Sequence, residues 1–385
     1  MATYNVGEHL ASCRLTIDHA ALCDNWSKLD AASPGARTAS VVKANGYGLG
    51  LGEVGISLAA AGCKVFFVAN IDEGIRLRRI LKTREIFVFS GLTRRNAAAY
   101  AESNLIPVLN SIDDISVWSE FWKLRGSRRP CALQLDTGMN RMGLNSTDIA
   151  NFANNTELAD SINIITVLSH LACADDRDHD MNKSQLERFQ SYSEQFKGSE
   201  LSLANSAGIY LGKSYHFDLV RPGIALYGGE YFNSNENKMG IVVSAEGRIA
   251  QVQNVKKGEM IGYGGTHVFT SDSKIATVSS GYADGYLRSG SSSPSGGAMG
   301  AIGKYKVPVV GRISMDYTAF DVSDVPEQVL EKTEYVELFG HHIKLDDAAR
   351  NAGTLGYEFL TSIGRRYYRN HINQPEHSPG QGISS

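Results

Sequence analysis

The amino-acid sequence predicts an α/β protein: an N-terminal parallel (β/α)8 TIM-like barrel followed by a C-terminal mainly β domain. Short runs that are apolar on both faces alternate with helical patterns up to about residue 240. Past that point the runs alternate in polarity, carry β-branched residues and are joined by glycine turns. A chain of 385 residues, 42% hydrophobic and 21% charged, is long enough for two domains with separate cores. An open doubly wound sheet would carry GxGxxG at its opening turn, and Gly46-Tyr47-Gly48-Leu49-Gly50 lacks that spacing. The expected division is an N-terminal strand in 1–14 that joins the β domain, a barrel over 15–240, a β domain over 241–370 and a flexible tail over 371–385.

In chain order, Arg14–Ile17 alternates like a short strand and runs into a helical pattern at Ala20–Leu29. Strand-like runs follow at Ala39–Ala44, Lys64–Ala69, Glu85–Ser90, Ile106–Asn110, Ala132–Thr137, Ile164–His170, Leu201–Asn205 and Asp218–Gly223. Helical spacing appears at Ile71–Leu81 after the N-cap Asn70, and at Arg94–Ser103, Ile112–Leu124 and Lys183–Phe196. The eighth link, Ser206–Leu211, is short. In the second half Ser244–Val255, Lys274–Ser280, Val307–Val322 and Tyr335–Leu338 read as strands, and Leu345–Ile363 as a helix. Gly290–Gly300 reads as a surface loop. The tail beyond Tyr368, with Pro375, Pro379 and Gly380, reads as unstructured.

Composition excludes several classes. A net charge of -3 and no cluster of basic residues among aromatics give no field for nucleic acid. No apolar run is long enough to span a membrane, and Met1–Ala11 holds no apolar leader. Cys13, Cys23, Cys63, Cys131 and Cys173 are odd in number and scattered, as expected of thiols in a reducing cytoplasm. Asp176-Arg177-Asp178-His179-Asp180 has part of a calcium-loop spacing, but Met181 stands where the loop needs glycine. It reads as a solvated acidic turn, and no metal is expected.

Barrel sites form at the C-terminal ends of the strands. Lys43 ends the first strand, and Asp136-Thr137-Gly138-Met139-Asn140-Arg141 follows the fifth. His170 ends the sixth, Asn205-Ser206 the seventh and Arg221-Pro222-Gly223 the eighth. Any one of these residues has an ordinary structural reading; their convergence on one mouth does not. A lysine at a strand end is open to desolvation, which lowers its pKa and makes it a nucleophile or base. Ser206 at the start of a short helix, and Gly223 after the last strand, mark a phosphate seat. Lysine and phosphate seat together point to pyridoxal phosphate held as a Schiff base, or to a sugar phosphate in an aldolase.

The motifs resemble those of the bacterial alanine racemases, a pyridoxal phosphate-dependent, barrel-type family. The likeness rests on Val42-Lys43-Ala44-Asn45-Gly46-Tyr47-Gly48, the Asp136–Arg141 turn, Ser169-His170, Ala204-Asn205-Ser206-Ala207 and Val220-Arg221-Pro222-Gly223-Ile224. It continues through Gly262-Tyr263-Gly264, Gly281-Tyr282-Ala283-Asp284-Gly285, Gly311-Arg312-Ile313-Ser314-Met315-Asp316 and Gly356-Tyr357-Glu358. It implies two bases on opposite faces of the substrate: Lys43 for the D-face and Tyr263 for the L-face. Arg288 is implied as the positive charge that helps Tyr263.

The resemblance further implies that Arg221 faces the cofactor's ring nitrogen and His170 packs on its ring, with Asn205 beside it. Tyr47, Ser206, Gly223, Ile224 and Tyr357 match phosphate contacts. Arg141 and the Met315 N–H match the substrate carboxylate site, with Tyr282 and Asp175 at the entrance. Tyr263, Tyr282 and Met315 reach the partner's cofactor in this family, so a homodimer with shared active sites is implied. So is D-alanine made for the cell wall or consumed in catabolism.

One position departs from the family. Many members carry a carbamylated lysine two residues before the Asp-Thr-Gly turn, where it orients the arginine; here it is Gln134. Its amide oxygen is expected to accept from Arg141. A broader amino-acid or serine racemase, a pyridoxal phosphate decarboxylase and a non-catalytic carrier of the cofactor are the alternatives. The decarboxylase would need a cysteine in the second domain, and no cysteine lies beyond Cys173.

Overall fold

The computed structural model describes residues 7–232, 238–293 and 296–375. Among these residues the chain forms two units, one built mainly from 22–226 and the other from 7–21, 227–229 and 240–374. Strand β1 (Cys13–Asp18) opens the chain yet belongs to the second unit. The first 14-residue helix, His19–Ala32, leads from it into the barrel.

The barrel's first strand runs as two pieces, β2 (Arg37–Thr38) and β3 (Ser40–Val41), because it changes neighbour at Ala39. From β3 a seven-stranded sheet continues in sequence order. Its members are β4 (Val65–Val68), β5 (Glu85–Val88), β6 (Ile106–Leu109), β7 (Pro130–Gln134), β8 (Asn163–Leu168) and β9 (Glu200–Ser202). Every pairing is parallel. The eighth strand, β10 (Leu219–Val220), pairs in parallel with β2. Its flanks reach β9 through Arg221 N–H to Ala204 O at 2.9 Å and Asp218 N–H to Leu201 O at 3.0 Å, which closes the ring.

The strands are buried on both faces, as parallel strands under helices must be. Val65, Phe66, Phe67, Val68, Ile86, Phe87 and Val88 are all at most 1% exposed. Phe67 and Phe87 stack across the pair with centroids 4.7 Å apart. The intervening helices start where side chains accept the first free N–H groups. Asn70 Oδ1 takes the Glu73 N–H and Ser111 Oγ takes the Asp114 N–H, each at 3.1 Å. The link after β9 holds only the single turns Gly208–Tyr210 and Lys213–Tyr215, not a helix starting at Ser206. Short turns suffice there because β10 is only two residues long.

In the second unit the thirteen-residue strand β11 (Val243–Val255) is the hub. Then come the hairpin β12 (Met260–Ile261) and β13 (His267–Val268), and β14 (Ser273–Val278). Next are β15 (Met299–Ile302), β16 (Tyr305–Pro308), β17 (Thr318–Asp321), β18 (Tyr335–Phe339) and β19 (Tyr367–Ile372). Strand order is β16-β15-β18-β11-β1-β19, and β14 pairs both β11 and β17. The register of β11 shifts between Ile249 and Gln251 along β14.

Three local expectations differ from the structure. The run Val307–Val322 is two strands with a loop between them. The helix expected over Leu345–Ile363 is two helices, Leu345–Asn351 and Gly356–Ser362, parted at Gly353 with φ of 70°. Residues up to Ile372 are not tail: they pair in parallel with β1, from Cys13 opposite Tyr367 to Asp18 opposite Ile372. The remainder of the expected tail, 376–385, lies outside the described residues, as do 294–295 of the serine–glycine loop.

Candidate active site

Lys43 follows β3, whose end is tied to its neighbour by Val42 N–H to Phe67 O at 2.9 Å. The chain then makes one left-handed turn: Ala44, Asn45, Gly46 and Tyr47 have φ of 52, 58, 64 and 51°. Only Gly46 adopts this hand without steric penalty; an L-residue in it costs about 1–2 kcal/mol. Such strain persists where surroundings enforce it, and it gathers at functional sites. Desolvation and then the charge of Arg141 lower the pKa of Lys43, while Glu73 works in the opposite direction.

The turn sends Tyr47 back into the protein, where it is 5% exposed. A Cβ placed on Gly223 would lie 2.4 Å from the Tyr47 hydroxyl, so only glycine admits this phenol beside the loop after β10. The buried hydroxyl of Ser206 accepts from the Gly223 N–H at 2.9 Å and the Ala225 N–H at 3.3 Å. Two hydroxyls and two backbone N–H groups therefore gather at the mouth, beside buried Ile224. Ser206 and Gly223, the expected phosphate residues, are brought together not by a helix start at Ser206 but by the closeness of the loops after β9 and β10. Asn205 Oδ1 caps the following turn by accepting the Gly208 N–H at 2.9 Å.

Arg221 is 3% exposed and donates to the Ser202 hydroxyl and the Ser169 carbonyl. Burial pushes its pKa down to about 9, which still leaves it charged near neutrality. His170 is half-buried. Burial, then the charges of Arg221, Arg141 and Lys43, push its pKa down to about 3. The ring is therefore neutral throughout the physiological range.

The turn after β7 is built on Asp136, whose Oδ1 accepts the N–H groups of Gly138 at 2.9 Å and Asn140 at 3.1 Å. Arg141 leaves this turn exposed and makes no side-chain hydrogen bond among the described residues. Gln134, expected to accept from Arg141, instead points its Nε2 at the Met142 carbonyl, 3.2 Å away. That leaves Arg141 unbraced by Gln134. Buried Gln185 joins the ends of β7 and β8: its Nε2 donates to the Thr137 hydroxyl at 3.1 Å and the His170 carbonyl at 2.9 Å. Neither Gln185 nor Glu73 was found from the sequence. The Asn70–Glu73 spacing was a signal for the second, read only as a helix start. The Asp176–His179 turn ends in a helix cap, His179 Nδ1 accepting the Met181 N–H at 3.1 Å.

In the second unit Tyr263 heads the turn of the β12–β13 hairpin and is 72% exposed. Arg312 reaches this turn, its Nη1 lying 3.2 Å from a Cβ built on Gly264. Arg288, expected to assist Tyr263, stands instead over the Tyr282 ring at 6.0 Å. Tyr282 and Met315 are brought together by Tyr282 N–H to Ser314 O at 3.0 Å and Ala283 N–H to Met315 O at 3.1 Å. Gly281 makes this possible, since a Cβ there would meet the Ser314 and Met315 carbonyl oxygens at 2.4 Å. Arg366 locks both loops: it holds buried Asp284 through Nε at 2.7 Å and Nη2 at 2.8 Å, and Asp316 through Nη1 at 2.7 Å. The Met315 N–H donates to no group among the described residues. Tyr357, in the helix Gly356–Ser362, is 43% exposed.

Comparison with known proteins covers both units. The profile of the family described as "Alanine racemase, N-terminal domain" matches residues 17–231, and "Alanine racemase, C-terminal domain" matches 242–371. An alanine racemase of Rhizobium meliloti is 46% identical over 370 residues, 94% of this chain and 97% of the relative. A catabolic alanine racemase of Agrobacterium fabrum is 41% identical, covering 97% of this chain and 96% of that one. The crystal structure of alanine racemase from Bartonella henselae with covalently bound pyridoxal phosphate superimposes with a TM-score of 0.88. It is 34% identical and covers 94% of this chain and all of that one.

Proposed function

The chain belongs to the alanine racemase family, and from that membership we infer that it interconverts L- and D-alanine with pyridoxal phosphate as cofactor. The residues at the barrel mouth suit that cofactor. A lysine of lowered pKa serves for covalent attachment, a buried arginine for the ring nitrogen and a neutral histidine for the ring face. For the phosphate there is a cup of hydroxyls and N–H groups that a side chain on Gly223 would fill. The single observation that carries the reading is this: the family's lysine stands on a strained turn whose Tyr47 returns to that cup.

Pyridoxal phosphate, when bound, withdraws electrons from the amino acid's Cα and so acidifies its α-proton. The roles of the protein's own groups are as follows. Lys43 would hold the cofactor, with Arg221 at the ring nitrogen, His170 on the ring, and Tyr47, Ser206, Gly223 and Ile224 at the phosphate. Tyr357 is assigned to the phosphate on the family likeness alone. Arg221 remains protonated, so it would donate to the ring nitrogen without giving up its proton. That weakens the electron sink and favours brief proton transfer over side reactions.

Two bases are needed because one cannot reach both faces of a planar carbon. Lys43 Nζ takes or returns the proton on one face, and its lowered pKa raises the fraction of free amine. The other face is assigned to the phenol of Tyr263 of the partner subunit. In a single chain that ring stands in solvent, together with exposed Met315, Tyr317 and Tyr282 of its unit, which supports a second copy as the missing wall. Arg141 and the Met315 N–H, both without internal partners among the described residues, suit the substrate carboxylate. All five cysteines are thiols rather than disulfides, which supports a cytoplasmic setting. No helix among the described residues is long and apolar enough to cross a membrane.

The test is a coupled assay for D-alanine formed from L-alanine by the purified protein, alongside a panel of other amino acids. Turnover of alanine in both directions is expected. Decarboxylation products, or cofactor binding with no turnover of any amino acid, would overturn the reading.

A further inference from the structure

One buried carboxylate holds the turn that carries Lys43. Glu73 is 7% exposed and lies in the first turn of the helix Ile71–Ile80. There the helix dipole favours a negative charge. Its Oε1 accepts the Asn45 N–H at 3.0 Å, from the middle of the left-handed turn. Its Oε2 accepts the Ala69 N–H at 2.9 Å, from the end of β4. The same two chain ends meet again through Val42 N–H to Phe67 O. One side chain therefore fixes the lysine turn to the neighbouring strand end by both carboxylate oxygens.

A simple helix cap would spend its carboxylate on its own first turn. Glu73 does not: the Asn70 side chain caps the helix, and Glu73 is left to bind two N–H groups outside it. The left-handed backbone at Ala44, Asn45 and Tyr47 needs such external support. Asn45 is braced a second time, its Oδ1 accepting from the Leu51 N–H at 3.2 Å and from Arg76 at 3.3 Å. Among the described residues the charges that act on the Lys43 amine are Arg141, from the turn after β7, and Glu73, while the Lys43 charge in turn acts on His170. Glu73 is the one anion among them.

We propose that Glu73 is a positioning residue for the cofactor lysine: it clamps the Asn45 and Ala69 N–H groups and so aims Lys43 into the mouth. The proposal rests on Lys43 being the cofactor lysine. Glu73→Gln keeps the size, removes the charge and sets an amide NH2 against one of the two N–H donors. Glu73→Asp keeps the charge and shortens the reach.

The experiment uses the full-length chain stripped of cofactor and mixed with pyridoxal, which lacks the phosphate and so bypasses the phosphate cup. The rate of formation of the Schiff-base absorbance, near ~420 nm, is followed against pH. In E73Q the half-rise is expected to move to lower pH, because an anion near the amine is lost. The plateau rate is expected to fall roughly tenfold as the aim loosens. In E73D the plateau falls and the half-rise stays. Thermal unfolding of both variants is measured alongside, and E73D reads the aim even if E73Q fails to fold. Variants that lose thermal stability while keeping wild-type plateau and half-rise would overturn the proposal, leaving Glu73 a structural residue. Lys43→Ala separates the two readings: if it still forms the absorbance, the lysine assignment fails first.

Discussion

Within the barrel unit, Arg221 is 3% exposed and Tyr47 5%, and each chemistry-bearing strand end is tied to its neighbour by hydrogen bonds. Within the β unit, Tyr282 is 38% exposed and Met315 53%, on loops that are themselves braced by Arg366, and Tyr263 is 72% exposed at the turn of the β12–β13 hairpin. Both units spend buried polar groups on fixing backbone. They differ in where the fixed side chain ends up. The barrel turns its groups toward one another and shifts their pKa values. The β unit holds aromatic groups out in solvent, where the proposed second copy would meet them. Preorganisation and burial are thus separate properties, and only the first is common to the two halves.

The largest expected effect tests whether the two halves act across chains. Lys43→Ala and Tyr263→Phe are each expected to lower kcat by about a thousandfold or more. The first loses the cofactor absorbance and the second keeps it. A dimer with one chain of each kind has one intact site of two, and random mixing makes half of the dimers mixed. Co-assembly should therefore restore about one quarter of wild-type activity. No recovery on mixing would place both bases in one chain.

Next in size is the phosphate cup. Gly223→Ala sets a methyl against the Tyr47 hydroxyl. Over-packing of this kind should weaken cofactor affinity about 10- to 100-fold, measured by equilibrium dialysis. An unchanged affinity would mean that the cup is not where the phosphate binds.

The third effect is a pH slope confined to the barrel. His170 has a folded pKa of about 3 against an ordinary value of 6.5. Between those values the unfolded chain binds a proton that the folded chain does not. Stability is therefore full above about pH 6.5 and falls as the pH drops toward 3. In cofactor-free protein His170→Gln should flatten the dependence of the urea midpoint on pH over that range. An equal slope in both proteins would show that burial does not neutralise the ring.

The smallest effect is expected to be none. Gln134 has no amine to carbamylate, and its amide is turned to the Met142 carbonyl. Removing and restoring bicarbonate should leave the rate unchanged, and a dependence on it would require another lysine to take that role.

The barrel was legible in the sequence because its signals are local: apolar runs end in glycine turns, and Lys43, His170 and Arg221 sit at those ends. The helices Ser146–Asn154 and Thr156–Ser161 went unread because they are short and bury little, only Ile149 and Phe152 in the first and no residue in the second. Glu73, Gln185 and Arg366 were not legible for a different reason. Each acts on groups that only the fold brings near: 28 residues apart for Asn45 and Glu73, and 82 for Arg366 and Asp284. The strand Tyr367–Ile372 was missed because its partner is the first strand of the chain. Where these guanidinium groups fall was equally a matter of turn geometry, which set Arg312 against Gly264 and Arg288 over Tyr282.

The placement of β1 has a consequence for synthesis on the ribosome. Its antiparallel partner β11 and its parallel partner β19 both lie beyond the barrel in the chain. The nascent polypeptide must therefore complete and fold an entire inserted body while its earliest segment waits with open edges. Leu15 and Ile17, fully buried in the finished protein, stay available to the wrong neighbours throughout that interval. A ribosome that stalls before β11 emerges would leave a well-formed barrel with an adhesive strand at its start.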